Sequence, residues 1–155
     1  MGSGILAGAA AGAAGTAALN AATYVDMTVR GRQSSDAPQR TIEEIEQRLP
    51  VSVPGRDEQR ANRISGLGGL SGIATGIGVG MAFGLLRRVG LRPPFALGAL
   101  LVGIGAMAST DSSMAMLKVS DPRRWSAGDW LSDLLPHLAY GVVTYAVLEA
   151  LDGRP

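Results

Sequence analysis

Four stretches of this chain are almost devoid of charge, and the ionisable residues are gathered between them. Met1 to Val25, Ile64 to Leu86 and Pro93 to Thr110 contain no Asp, Glu, Lys, Arg or His. A fourth stretch, Leu131 to Leu151, is apolar apart from Asp133, His137 and Glu149. Each approaches or exceeds the ~20 residues needed to cross ~30 Å of hydrocarbon. The pattern predicts an all-α, polytopic membrane protein forming one membrane domain over residues 1–155. Its four transmembrane helices are expected at about 3–26, 64–86, 95–117 and 131–151, with the lipid bilayer as their surroundings.

Glycine spacing refines this picture. Gly68, Gly72, Gly76, Gly80 and Gly84 recur every fourth residue in the second stretch, and Gly4, Gly8 and Gly12 do so in the first. Each glycine would cost a soluble helix about 1 kcal/mol relative to alanine. Between helices in lipid, the same spacing exposes bare backbone that a neighbour can approach closely. Glycine-zipper packing is therefore expected, either of the first two helices on each other or of each on a copy of itself, and a homo-oligomer is the natural extension. Thr16, Asn20 and Thr23 continue the first row toward Asp26 as a polar surface. The first stretch lacks the basic n-region of a secretory signal and is longer than an ordinary signal core, so it reads as a retained membrane helix.

Residues 27–63 form the one long connection. Ser34, Ser35, Asp36 and Pro38 mark a turn, and Thr41 with Glu44 has capping-box spacing, predicting a short helix from Ile42 to the stop at Pro50. Ile42, Ile45 and Leu49 give it one apolar stripe, as expected of a helix lying in the membrane interface. The run RDEQRANR extends the second helix beyond the lipid. Pro93-Pro94 make a sharp junction, the cluster Ser109 to Ser113 is expected to interrupt the third helix, and Ser126 with Asp129 repeats the capping spacing before the fourth. Trp125 and Trp130 flank that start, as amphipathic rings do at headgroup level.

Charge distribution suggests an orientation. The long connection holds Arg30, Arg32, Arg40, Arg48, Arg56, Arg60 and Arg63, and Lys118, Arg123 and Arg124 lie on the same side. Arg87, Arg88, Arg92 and Arg154 lie on the other. The bias places the long loop in the cytoplasm of a bacterial inner (cytoplasmic) membrane.

Candidate chemistry concentrates in the fourth helix. Asp133, His137, Gly141, Tyr145 and Glu149 fall four apart, on adjacent turns of one face. Ionisable groups in membrane helices usually face protein or a water-filled cavity, so this row suits proton binding or transfer. The alternative is that Asp133 and Glu149 sit at opposite interfaces, leaving His137 as a packing hydrogen bonder. Pro136 should loosen the helix beside it. Asp26 and Asp111 invite a second network if they face each other, with Lys118 or Arg30 near. With no cysteine and a single histidine, no metal site is expected within one subunit, and no cofactor. A net charge of +1 without a basic, aromatic-rich patch gives no reason to expect nucleic acid. The glycine rows lack the lysine and the strand-to-helix context of a phosphate loop.

GILAGAAAGAAGTAALN followed by VRGRQSSDAP, with PHLAYGVVTYAVLEAL near the end, resembles small hypothetical actinobacterial membrane proteins. More distantly the chain is similar to the YagU-like inner-membrane family, in a glycine-rich first helix and a late His-x-x-Tyr-Gly element, here His137, Tyr140 and Gly141. It lacks that pattern's N-terminal basic residues. YagU-like proteins have been linked to survival in acid, and the resemblance implies a similar setting for the Asp133–His137 pair. Three function classes follow. The leading one is a non-enzymatic structural or accessory membrane protein, with an unidentified membrane-protein partner. The others are a small channel or proton-linked transporter, and a binder of lipid or another apolar ligand.

Overall fold

The computed structural model describes residues 2–152 and is all-helical in its regular structure. Arg154, counted above for orientation, lies outside the described residues. Five α-helices occur: α1 (Gly2–Arg30), α2 (Ala37–Arg48), α3 (Asp57–Arg88), α4 (Phe95–Met116) and α5 (Ala127–Asp152), with a short 3-10 turn at Pro122–Arg124. Four of them, all but α2, are long and apolar enough to cross a membrane. The shortest of these has 22 residues, or about 33 Å of rise. Leu6, Leu70, Leu86, Leu97, Leu100 and Leu135 stand exposed on their outer faces. A water-facing surface rarely tolerates so much contiguous apolar area, whereas hydrocarbon favours it, consistent with a multi-pass membrane protein.

The membrane-length helices alternate in direction. α1 and α5 form the central pair, α3 packs along α1, and α4 packs along α5. α3 and α4 touch over a shorter stretch, where Phe83 lies over Gly105. The core is small and largely aromatic: Tyr140 and Tyr145 with Ala99, Val102 and Ala106, edged by Leu19, Val79 and Phe83.

The α1–α3 contact sets the spacing of everything else. The helices run antiparallel with Gly4 opposite Gly84, Gly8 opposite Gly80 and Gly12 opposite Gly76. A Cβ built on Gly8 would lie 2.7 Å from Met81 Cα, and one on Gly80 2.6 Å from Gly12 Cα. Both neighbours are backbone and cannot swing aside. The five-glycine row of α3 is not one surface, however. Gly68 meets Pro38 at the start of α2, and Gly72 is exposed with nothing near it. Another side of α1 faces α5 instead: Gly15 packs against Tyr140 and Thr144. Rows at four-residue spacing drift around a helix, so two straight helices share only part of one.

Two local expectations are corrected. α2 begins five residues before Ile42, because Pro38 suits the first helical turn and the Ser35 hydroxyl accepts the Ala37 amide at 3.2 Å. Thr41 lies inside the helix and donates to the Ala37 carbonyl. α4 runs uninterrupted through residues 109–113, because Thr110, Ser112 and Ser113 turn their hydroxyls back onto carbonyls three or four residues earlier. Pro136 lies within α5, which is one helix from Ala127 to Asp152. The Ser126–Asp129 capping box is present, with amide-to-side-chain bonds of 2.9 and 3.2 Å, and α3 extends back to Asp57 as expected.

α2 ties the loop end together. Arg48 donates to the Leu117 carbonyl at 2.7 Å, capping the end of α4, while Glu46 pairs with Arg60 of α3. The Val53 amide, then Arg60, hold the Glu46 carboxyl below its usual range. The glycine register generates a contrast. Gly8→Ala should destabilise the protein by about 1–3 kcal/mol through forced separation of α1 and α3, while Gly72→Ala should leave it unharmed. Reversible unfolding of both variants in mixed micelles measures the difference.

Candidate functional site

Polar side chains gather at the two ends of the bundle, with the aromatic core between them. At the end that carries the long loop, Asp26 of α1 pairs with Arg30 at 3.1 Å and also with Arg32. Arg30 reaches across to α5, donating to the Ser132 hydroxyl at 2.6 Å and the Gly128 carbonyl at 3.3 Å. Ser132 in turn lies 3.2 Å from the Asp26 carboxylate. This network fastens the last turn of α1 to the first turns of α5.

Next to it along α5 lies the most chemically suggestive group. His137 is 8% exposed, and its Nδ1 lies 2.8 Å from the Asp133 carbonyl oxygen and 3.3 Å from Asp133 Oδ1. A carbonyl can only accept, so Nδ1 carries the proton and Nε2 keeps its lone pair in the neutral ring. Asp111 of α4 stands close enough to interact electrostatically with both Asp133 and His137. Among the described residues, Asp111 Oδ1 and Asp133 Oδ2 are buried with no hydrogen-bond partner. Three ionisable side chains from two facing helices thus share one enclosed corner. Among the described residues, no group of His, Asp and Glu is arranged to hold a metal ion.

The rest of the expected row does not join them. Tyr145 points to the other end of the bundle, where its hydroxyl donates to the Pro93 carbonyl at 2.5 Å. Glu149 and Asn20 are exposed on outer faces. Asp26 and Asp111 belong to separate clusters, since Arg30 and Arg32 neutralise Asp26 within its own neighbourhood, and Lys118 is exposed beyond both. A row at four-residue spacing drifts about 40° around the helix at each step, which explains why only Asp133 and His137 remain together.

The opposite end holds a pair that spacing did not reveal. Arg87 ends the buried face of α3 that begins with the glycines and is only 6% exposed. Its Nε lies 2.8 Å from Asp152 Oδ2, and its guanidinium sits 4.8 Å from the centre of the Tyr145 ring. Tyr145 meets Phe95 edge-on at 5.9 Å, and its ring occupies the space left by Gly98. The available sequence signal was position: Arg87 follows Gly84 by three residues, one turn further along the inward face.

Between the ends, the His-x-x-Tyr-Gly element fastens α5 to its neighbours. Tyr140 donates to the Gly76 carbonyl of α3 at 2.6 Å, and Gly141 lies against Ala99 and Gly103 of α4. His137 supplies the carbonyl that packs on Gly103, where a Cβ would come within 2.7 Å. Thr144 and Val102 are fully buried.

Asp152→Ala should cost about 3 kcal/mol, because it strands the Arg87 guanidinium in a buried site. Arg87→Met, which removes the charge with its partner left half-exposed, should cost less. Thermal denaturation in detergent ranks the two. In comparisons with known proteins, no family model, no curated protein and no solved structure matches this chain.

Proposed function

We propose that this chain is a non-enzymatic integral protein of the bacterial cytoplasmic membrane, acting as a structural or accessory component through a membrane-protein partner. The observation that supports this reading best is the filled middle of the bundle. Tyr140, Tyr145 and Leu148 are 1% exposed and Val102 and Thr144 0%, while the glycines at 98, 103 and 141 are each covered by a neighbouring side chain or backbone. A conduit needs polar groups or water through its centre; here the charged side chains stop at either end, and the hydroxyls between them, on Thr16, Tyr140 and Thr144, lie within packed helix contacts. In this reading the paired glycines act as a zipper within one chain, α2 lies along the interface, and the arginine-rich loop faces the cytoplasm.

Self-association belongs to the same proposal but uses another face. Gly76, Gly80 and Gly84 are occupied by α1, whereas among the described residues no other helix comes within 4 Å of a Cβ built on Gly66, Gly69 or Gly72. Light scattering in mild detergent should give an oligomeric mass that falls in Gly69→Leu. An unchanged mass would remove this surface from the proposal.

A second reading, proton binding linked to transport, is favoured by the Asp111–Asp133–His137 corner and by the resemblance to acid-linked YagU-like proteins. One experiment separates the two. Proteoliposomes should show no pH-driven flux above empty vesicles, and His137→Ala should change nothing. Flux that rises with a proton gradient and disappears in His137→Ala would replace the accessory reading with the transport one.

A further inference from the structure

A cavity of about 780 Å³ opens between the end of α4 and the start of α5, at the loop end of the bundle. Its polar lining is basic. Lys118, Arg123 and Arg124 face it, against one acid, Asp121. Asp121 is already engaged: one oxygen accepts the Arg123 amide at 3.1 Å, and the other lies 4.0 Å from Arg124 Nε. Among the described residues, the side chains of Lys118 and Arg123 have no ion-pair partner. The cluster therefore keeps a positive excess. Trp125 forms a fixed wall, its indole nitrogen donating to Ser120 at 2.8 Å and its ring set edge-on to Trp130 at 5.1 Å.

Lys118 occupies a position where its residue type is unfavourable. α4 ends in a Schellman motif, with the Val119 amide on the Met114 carbonyl at 2.8 Å and the Lys118 amide on the Ala115 carbonyl at 3.0 Å. That motif requires a left-handed residue, and Lys118 supplies it with φ of 61°. Glycine meets this requirement without a clash between Cβ and carbonyl. A lysine here brings strain, and what it adds is an ammonium group on the cavity. Strained backbone positions cluster at functional sites, and this one sets a cation on the cavity wall.

We propose that this cavity binds a phosphate-bearing anion, held by Lys118 and Arg123 with Arg124 at the rim and with Trp125 against its less polar side. Guanidinium forks match phosphate oxygens, and lysine adds a point charge. The cavity lies where a membrane-length helix ends, beside two tryptophans, so a phospholipid headgroup and a free phosphate both satisfy its chemistry. The inference stands apart from the accessory and transport readings and needs neither flux nor a protein partner.

The test uses the full chain in phosphatidylcholine nanodiscs, with brominated phosphatidylglycerol as a quencher of tryptophan fluorescence. Quenching by the anionic lipid should exceed that by brominated phosphatidylcholine. Lys118→Gly should weaken the apparent affinity about fivefold, the scale of one cation at a membrane surface, while its melting temperature stays equal or rises. Arg123→Gln should weaken it likewise, guarding against an effect of the backbone change alone. Inorganic phosphate that relieves the quenching assigns the site to the anion itself; phosphate that does not, with Lys118-dependent quenching intact, assigns it to the lipid headgroup. Equal quenching by both lipids, or an affinity unchanged in both folded variants, overturns the proposal.

Discussion

The bundle depends on the approach of α1 to α3 at three pairs of glycines. Within hydrocarbon, burial of apolar area contributes little between helices, because lipid tails are as apolar as leucine. Dispersion contacts and interhelical polar bonds must supply the association, and both need short distances. Gly8 and Gly12 against Gly80 and Gly76 supply those distances. The same approach brings the Gly76 carbonyl within 2.6 Å of the Tyr140 hydroxyl on α5. One side chain from the centre of the core thereby reaches the backbone of a helix that is two layers away in sequence.

Polar groups are then distributed by what the middle of the bundle can accommodate. Two hydroxyls within it turn onto backbone carbonyls, Thr16 onto Gly12 at 2.8 Å and Tyr140 onto Gly76 at 2.6 Å. The larger charges lie at the ends, several of them paired: Asp26 with Arg30 and Arg32, Arg87 with Asp152 and the Tyr145 ring. The corner formed by Asp111, Asp133 and His137 brings two carboxylates together, and among the described residues one oxygen of each is buried without a hydrogen-bond partner. Isolated buried charge is costly, which is why that corner, rather than the ion pairs around it, attracts a functional reading. α2 adds an external tie where α3 and α4 diverge, joining Gly68, Arg60 and the last carbonyls of α4.

Much of the architecture was legible along the chain. The absence of charge marked the four long helices, and the charged run before Ile64 marked the extension of α3 to Asp57; α1 differs in continuing past its apolar stretch through Met27–Arg30. Capping chemistry located the start of α5 through Ser126 and Asp129 but misplaced the start of α2, where Pro38 and Ser35 offered an equally good beginning further upstream. Hydroxyl clusters were misread as an interruption of α4, because a serine can satisfy its polarity within its own helix.

By itself, the sequence determined the number of long helices, their apolar character and which glycines were available for close packing, since hydrophobicity and the absence of a side chain are local properties. The tertiary structure alone decided which helix each glycine met, so that Gly76 faces α1, Gly68 faces α2 and Gly72 faces neither. It also decided the site: Asp111 came to His137, and Arg87 to Asp152, from different helices, while Tyr145 and Glu149 left the row they shared with His137. Spacing fixes the direction of a side chain about its own axis, but what stands opposite depends on crossing angle and register, which are set by contacts between segments far apart in the chain.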